Sequence, residues 1–416
     1  MSDLLTTPFP GEKRRGSWRG IVKAQDNNEM TGEAGSGLTY PALLGVLGGG
    51  QLARMTGEAA SRLGVELAVM EKEPGSPAAR IAAREVVGGW LDFDQLAALA
   101  EGTLAVTLEN EFVDVATLEW LEAHGFVVYP TARTLALVQD KYEQKRFMRE
   151  AGAPVVDCAP VASVEDVERA GAAWGWPLAL KGRHGSYDGY GNATLRGPSD
   201  IAPAFARLGF PARALYVERW APFTRELAVM VARGRDGAIA VYPVVETVQR
   251  DHICHIVRAP APGNAAVIER AASIAQRAVE AIGGVGVFGI ELFESPDGEV
   301  LYNEIAPRPH NSGHYTIEGC VTSQFENHVR AVLGLPLGAT TMTAPAVVMV
   351  NTLGVRNGPA EARGMARALA VPGAHVHVYG KLASRLGRKM GHVTALGATI
   401  EEAEATARAA ADALDL

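Results

Sequence analysis

Three shortages narrow the field before any motif is read. The chain has only three cysteines, Cys158, Cys254 and Cys320, scattered and odd in number. They make neither a disulfide framework nor a metal-ligand spacing, so a reducing cytoplasm is the simplest compartment. Positive charge is short as well: the formal net charge of −8 gives no global attraction to polyanions. That excludes a general nucleic-acid binder and leaves room for a local basic pocket that takes a small phosphorylated ligand. Long apolar runs are missing too, so nothing predicts a membrane span, and the N-terminus has no apolar signal core.

What is present is ordinary for a soluble enzyme. Hydrophobic residues make up 48% and charged residues 21% of the 416. That length exceeds one hydrophobic core, so two or three domains are expected. Residues 1–40 stand apart. Pro10–Gly16 and Glu33–Gly37 are polar, glycine-rich and without periodicity, which reads as a flexible tail or a start assigned too far upstream. On the tail hypothesis, deleting residues 1–38 leaves folding and turnover intact; a large loss of either rejects it.

From residue 42 the pattern alternates strands and helices. Ala42–Leu47 is a buried strand that ends in Gly48-Gly-Gly-Gln-Leu-Ala-Arg-Met55, a tight turn and a helix start. Val65–Met70, Leu104–Leu108 and Gly125–Tyr129 are the following strands, with Leu104–Leu108 leading into Glu109-Asn-Glu111. Strands separated by helices imply parallel βαβ units with ligands at the carboxyl ends of the strands. Gly48-x-Gly50-x-x-Ala53 with Glu71 closing the next strand satisfies the dinucleotide fingerprint, which favours a Rossmann-type oxidoreductase binding NAD(P). A sugar phosphate uses the same device, because small residues and a helix N-terminus offer free N–H groups to any anion.

The later chain points elsewhere. Asp140–Arg149 is a charged amphipathic helix, and Trp176–Lys181 a strand that ends in a lysine. Gly182–Gly191 follows directly, with four glycines in ten residues whose backbone donors suit phosphates. Leu215–Trp220 and Arg225–Val231 carry Glu218 and Glu226; Glu226 suits ribose hydroxyls and the backbone after Glu218 suits an adenine edge. Gly286–Phe293 and Glu299–Ile305 read as paired strands, each with a carboxylate inside an apolar run, Glu291 and Glu304. A lone buried acid costs several kcal/mol unless it is paired or metal-bound. Two on neighbouring strands, with Asn303 adjacent, suit a hard divalent cation that bridges triphosphate oxygens; a buried group satisfied by Arg308 is the plainer alternative. Arg308, His310, Asn311 and Ser312 lie just beyond.

These pieces together resemble an ATP-grasp domain, and within that superfamily the 5-(carboxyamino)imidazole ribonucleotide synthetases of purine biosynthesis. The resemblance rests on Leu47–Met55, Ser186–Gly191, Asn303–His314, Ser323-Gln-Phe-Glu326 and Gly387–His392, and it spans residue 42 to beyond His392. It implies an α/β (α+β overall) chain: an N-terminal parallel βαβ domain at 41–137, an ATP-grasp domain with a flap subdomain at 138–337, and a small β-rich C-terminal domain at 338–416. It also implies a cytoplasmic homodimer that uses ATP, Mg2+ and bicarbonate, with no nucleic-acid or membrane partner.

The residue roles it implies fall along the same cleft. Lys141 and Lys181 contact ATP phosphates, while Gly185, Ser186, Tyr187, Gly189 and Gly191 close the flap. Glu218, Arg219, Trp220 and Ala221 form the hinge; Glu226, Gln249 and Asn303 complete the nucleotide contacts; Glu291 and Glu304 hold magnesium. Tyr187, Asp188, Arg308 and Asn311 are the catalytic set, with Asp188 a proton acceptor for the substrate amine. Gly50, Gln51, Leu52, Glu109, Glu111, Lys381 and Arg388 bind the ribonucleotide. Two positions depart from the family pattern: Tyr190 replaces a basic flap residue, and Gln249 replaces a histidine. A phenol does not replace a cation, so Arg183 is expected to compensate and Arg183→Ala to lower turnover strongly. The rival readings are a formate-dependent glycinamide ribonucleotide transformylase of the same architecture, the oxidoreductase, and a non-catalytic nucleotide-binding regulator.

Overall fold

Short apolar runs ended by glycine build the first sheet, seen in a computed structural model that describes residues 38–185 and 191–416. The expected tail and the flap residues Ser186, Tyr187, Asp188, Gly189 and Tyr190 lie outside the described residues. Strands β1 (Ala42–Leu47), β2 (Val65–Glu71), β3 (Arg84–Val87) and β4 (Ala105–Leu108) are all parallel, in the order β3-β2-β1-β4. β1 and β4 are buried almost throughout, as parallel strands covered on both faces must be. Two corrections apply here. β3 was not anticipated, because Arg84-Glu-Val-Val87 is polar at its start. The strand expected at Gly125–Tyr129 is only a brief bridge to β4, with Val106 N–H to Val127 O at 2.7 Å and Tyr129 N–H to Val106 O at 2.9 Å. Pro130 has no N–H to extend that ladder.

Helices α1 (Gln51–Ser61), α2 (Phe93–Ala100) and α3 (Val115–Ala123) fill the connections. Asp92 and Asp114 cap the last two by accepting backbone N–H bonds. Helix α4 (Ala132–Gln139) stops at Asp140, whose carboxylate caps α5 (Lys141–Glu150) by accepting from Tyr142 and Glu143. A smaller antiparallel sheet follows, ordered β5-β8-β6-β7: β5 (Cys158–Val161), β6 (Leu178–Gly182), β7 (Asn192–Leu195) and β8 (Leu215–Arg219). Helices α6 (Val164–Trp174) and α7 (Ile201–Leu208) close its core, built on Val167, Leu180, Phe205 and Val217.

The large sheet carries the rest. It runs β14-β13-β9-β11-β12-β15-β19-β17, with β10 also on β9. The strands are β9 (Arg225–Arg233), β10 (Ile239–Val241), β11 (Val245–Arg250), β12 (Ile253–Ala259), β13 (Gly286–Glu294), β14 (Val300–Ala306), β15 (Ala346–Leu353), β17 (Ala374–Val378) and β19 (Lys389–Gly397). A two-stranded pair, β16 (Gly358–Pro359) and β18 (Ala383–Ser384), sits off it. Helix α8 (Ala265–Ile282) turns Val267, Ala271, Ile274, Ala275 and Ala278 onto β9, β13 and β14, the 3–4 spacing of a core-facing stripe. The strands of the β-rich C-terminal region continue this sheet, through Ile256 of β12 opposite Val350 of β15. An uncovered edge at β12 would leave a row of unpaired backbone groups, and the apolar β15 meets that need.

Short helices complete the chain: α9 (Thr316–Gly319), α10 (Gln324–Leu333), α11 (Met365–Leu369) and α12 (Ile400–Asp412). Helix α10 ties the sheets together. Buried His328 bonds Thr107 of β4 at 2.9 Å through Nε2, and its Nδ1 accepts the Val287 N–H at 3.1 Å. Among the described residues, no helix is long and apolar enough to cross a membrane.

Candidate active site

A cleft of about 1070 Å³ opens between the smaller sheet and the large one, bounded also by the first glycine turn and by the 381–389 loop. Each described residue expected at the site lines this cleft except Gly50 and Gly191. Antiparallel pairing of β13 with β14 sets Glu291 opposite Glu304, so the two acids face the same space. Lys141, first residue of α5, puts Nζ 2.5 Å from Glu304 Oε2. Burial pushes Glu304 upward, but Lys141 overrides it and leaves the carboxyl below its usual range. Glu291 has no such neighbour. Burial, then Glu304 and Glu226, pushes it up to about 8. His310 Nε2 is 3.6 Å from Glu291, yet burial and Arg308 pull His310 down to about 3, so it is neutral and makes no ion pair.

That imbalance is the test for a metal. Two facing carboxylates, one of them unneutralised, fit a hard cation that takes its remaining ligands from water and phosphate. Among the described residues there is no cluster of three or more His, Cys, Asp or Glu groups arranged to hold a metal, so a closed all-protein cage is not offered. The plainer alternative, Arg308 satisfying the acidic pair, is not what the structure shows. Arg308 is a fork on Glu111, with Nη2 2.8 Å from Oε1 and Nε on Oε2. Glu111 thus links Arg308 to the loop after β4.

On the facing side Lys181, at the end of β6, reaches Glu218 of β8 at 2.6 Å. Glu226 is raised by burial, and the neighbouring Gln249 side chain works against that rise. Phe223 and Phe293 stack with centroids 4.5 Å apart at the cleft wall. Arg183 does not stand free as a compensating cation. Its guanidinium is spread over Asp140, with Nη2 2.5 Å from Oδ2, and lies over the Tyr142 ring. It clamps the base of the glycine loop to the start of α5.

The first glycine turn is also not the open cradle its sequence predicts. Gly50 N–H donates to Glu109 Oε2 at 2.8 Å, Leu52 N–H to Glu109 Oε1 at 3.3 Å, and Gly49 N–H to Glu71 Oε2 at 3.0 Å. A Cβ at Gly50 would fall 2.1 Å from Glu109 Oε1, so only glycine admits that carboxylate. Glu109 thus accepts from the start of α1, and Glu71 from Gly49 just before it.

Beside this turn Lys381 donates to Lys389 O at 2.6 Å and lies over the Tyr379 ring. Burial and Arg388 draw Lys381 down to about 7. Arg388 donates to Ala383 O at 2.8 Å. Two further features escaped the sequence reading. Asn311 and Asn351 exchange amide hydrogen bonds at 3.0 and 2.7 Å, and Asn351 Nδ2 also donates to Cys254 O. Lys145, buried on α5, lies 2.9 Å from Glu218 Oε1. Nothing in the local pattern separates either from an ordinary polar residue; only sheet pairing brings them into place.

A flap sheet folded over a larger antiparallel sheet, with lysine–glutamate pairs from both lining the cleft, defines an ATP-grasp protein. Residues 146–325 match the ATP-grasp domain family, 42–139 the ribonucleotide synthetase preATP-grasp domain, and 347–406 the phosphoribosylaminoimidazole carboxylase C-terminal domain. The N5-carboxyaminoimidazole ribonucleotide synthase of Synechococcus elongatus is 42% identical over 84% of this chain and 88% of its own length. The chain belongs to the N5-carboxyaminoimidazole ribonucleotide synthase family. The Aspergillus clavatus synthase, solved in complex with ADP and 5-aminoimidazole ribonucleotide, superposes with a TM-score of 0.80 at 36% identity, covering 89% of this chain and 98% of that one. Phosphoribosylaminoimidazole carboxylase of Vigna aconitifolia is 42% identical over 88% of this chain; the chain spans 66% of that relative's length.

Proposed function

We propose that the chain carboxylates 5-aminoimidazole ribonucleotide with bicarbonate at the expense of ATP, releasing ADP and phosphate. The observation that carries the reading is one continuous cleft. It runs from Lys181 and Glu218 of the flap sheet, past Glu291 and Glu304, to Lys381 and Arg388 beside the first turn. A nucleotide at one end and a ribonucleotide phosphate at the other bring their reacting groups together in the middle. The relatives' names and the complex with ADP and 5-aminoimidazole ribonucleotide support the same placement.

Bicarbonate is a poor electrophile, and transfer of a phosphoryl group to it gives carboxyphosphate, which carries a leaving group. This chain's part is positioning and charge neutralisation. Lys141 and Lys181 take the nucleotide phosphates, Glu226 with Gln249 the ribose, and Arg308 and Asn311 steady the bicarbonate. Glu291 and Glu304 hold magnesium, which when bound screens the charge of the triphosphate. Tyr187 and Asp188 reach the amine, and closure of the flap over the cleft keeps water from the acyl phosphate. The division at 41–137, 138–337 and 338–416 and a cytoplasmic homodimer belong to the same reading.

The test is ADP release with magnesium-ATP and bicarbonate, with and without the ribonucleotide. Strong stimulation, with labelled bicarbonate recovered as an acid-labile carbamate, is expected. No stimulation sends the search to another amine, the glycinamide ribonucleotide of a transformylase first.

A further inference from the structure

Glu218 sits between two ammonium groups that come from different elements. Lys181 of β6 is 2.6 Å from one oxygen and Lys145 of α5 is 2.9 Å from the other. The two lysines are not equivalent. The side chain of Lys181 is 18% exposed and lines the cleft, whereas that of Lys145 is 2% exposed and lines none of it. Lys145 therefore stands behind the carboxylate as seen from the cleft.

The charge count gives this arrangement a consequence. With Lys145 in place, Glu218 is already balanced, and the Lys181 ammonium is a surplus cation directed at the cleft. Without it, Lys181 and Glu218 balance one another and the cleft presents no surplus charge there. The remaining carboxylate would also repel a phosphate, in surroundings where charges are poorly screened. A buried ammonium costs several kcal/mol in lost hydration, so a residue that only filled space here would be better apolar. Resting on the assignment of Lys181 to the nucleotide phosphates, we propose that Lys145 is a positioning residue: it holds Glu218 from behind and thereby frees Lys181 for the nucleotide.

Charge shifts agree with this geometry. Burial lowers Lys145 while Glu218 opposes the fall. Glu218, raised by burial, is brought down to about 2 by Lys145 and then Lys181. Lys181 also lowers Lys145, and Cys158 acts on it more weakly; burial raises the Cys158 thiol, so it stays neutral. With Lys145 in place the carboxylate is thus charged across the neutral range.

The test uses the full chain and ADP as the probe, titrated calorimetrically, with steady-state kinetics beside it. Lys145→Met keeps length and apolar volume but removes the charge. It is expected to weaken ADP about tenfold and to raise the KM for ATP by as much, with kcat within about twofold. The double variant Lys145→Met/Glu218→Gln removes the uncompensated carboxylate, and its ADP affinity should lie within about threefold of that of Glu218→Gln alone, measured beside it as the reference. A purely structural role predicts the same loss in both backgrounds, so a double variant about tenfold weaker than Glu218→Gln overturns the proposal. Unchanged affinity in Lys145→Met overturns it too, while leaving the nucleotide site itself standing. If Lys145→Met does not fold, the double variant against Glu218→Gln decides, and a loss beyond about threefold counts against the proposal. Failure of the parent chain to bind ADP at all removes both this inference and the site assignment beneath it.

Discussion

The first glycine turn and the β13–β14 centre are both places where sequence calls for an opposite charge, and they meet the call differently. At the turn, the free N–H groups of Gly49, Gly50 and Leu52 are taken by Glu71 and Glu109, carboxylates of neighbouring strand ends. Those three N–H groups are satisfied without a ligand. At β13–β14, Lys141 balances Glu304, but Glu291 is left raised to about 8 with no cation of its own. The lesson is that a motif states which groups converge, and the charge balance of the folded neighbourhood states whether they are still available. An unbalanced buried carboxylate points to a missing partner more strongly than a glycine-rich turn does.

The contrast is sharpest at Glu304. Glu304→Gln is expected to lower turnover on the order of 10²–10³-fold, because it removes one of two facing acids and leaves Lys141 unpaired. Activity against magnesium concentration is the measurement; near-normal turnover with an unchanged magnesium optimum would falsify the metal assignment. Asn351→Leu should come next. It deletes the amide that holds Asn311, and a buried hydrogen-bond partner left unpaired costs about 1–3 kcal/mol. A rise of about tenfold in the KM for bicarbonate is expected, with ADP affinity unchanged. Equal weakening of ADP would show a general disturbance of the sheet instead.

Glu109→Gln probes the other member of the comparison. Its amide oxygen accepts one N–H where the carboxylate accepts two, so unfolding by urea should show a loss of about 1 kcal/mol, typical of a weakened helix cap. ADP affinity should not move. A stable variant with a greatly raised KM for the ribonucleotide would mean that Glu109 leaves the turn when substrate binds, and the turn would then rank with the cleft as a working site.

Much of this was readable beforehand, for a physical reason. Strands such as Ala42–Leu47 and Gly286–Phe293 announce themselves because a buried strand must be apolar, and Glu291 and Glu304 because an acid inside such a run needs a partner. Asn303–His314 is dense enough in unusual residues to mark one family. What stayed hidden depended on contacts between distant segments. That Glu109 accepts from the glycine turn is hidden until β4 pairs with β1. Arg183 reads as a spare cation until α5 brings Asp140 to it. Lys145 and Asn351 look like surface and strand polar residues, and only the packing of α5 behind Glu218 of β8 and the pairing of β12 with β15 give them partners. That the C-terminal strands join the large sheet was hidden too, because sequence does not show which sheet edges pair.

The smallest effect expected concerns Lys381, which lies between the two regions. Burial strips its ammonium of hydration, Arg388 adds repulsion, and the group falls to about 7. The charged form is the one penalised, so the fold gains stability as pH rises from about 7 toward the ordinary lysine value. Anion binding runs the other way: Lys381 is cationic below about 7 and loses that charge above it. A phosphate monoester completes its own second ionisation near pH 6, so between pH 7 and 8.5 the protein group alone changes. Over that interval the KM for the ribonucleotide should rise about threefold in the parent chain. Lys381→Arg keeps its charge throughout and should flatten the rise. A parent profile already flat across this interval would mean that Lys381 does not face the phosphate, and that Arg388 carries that end of the cleft without it.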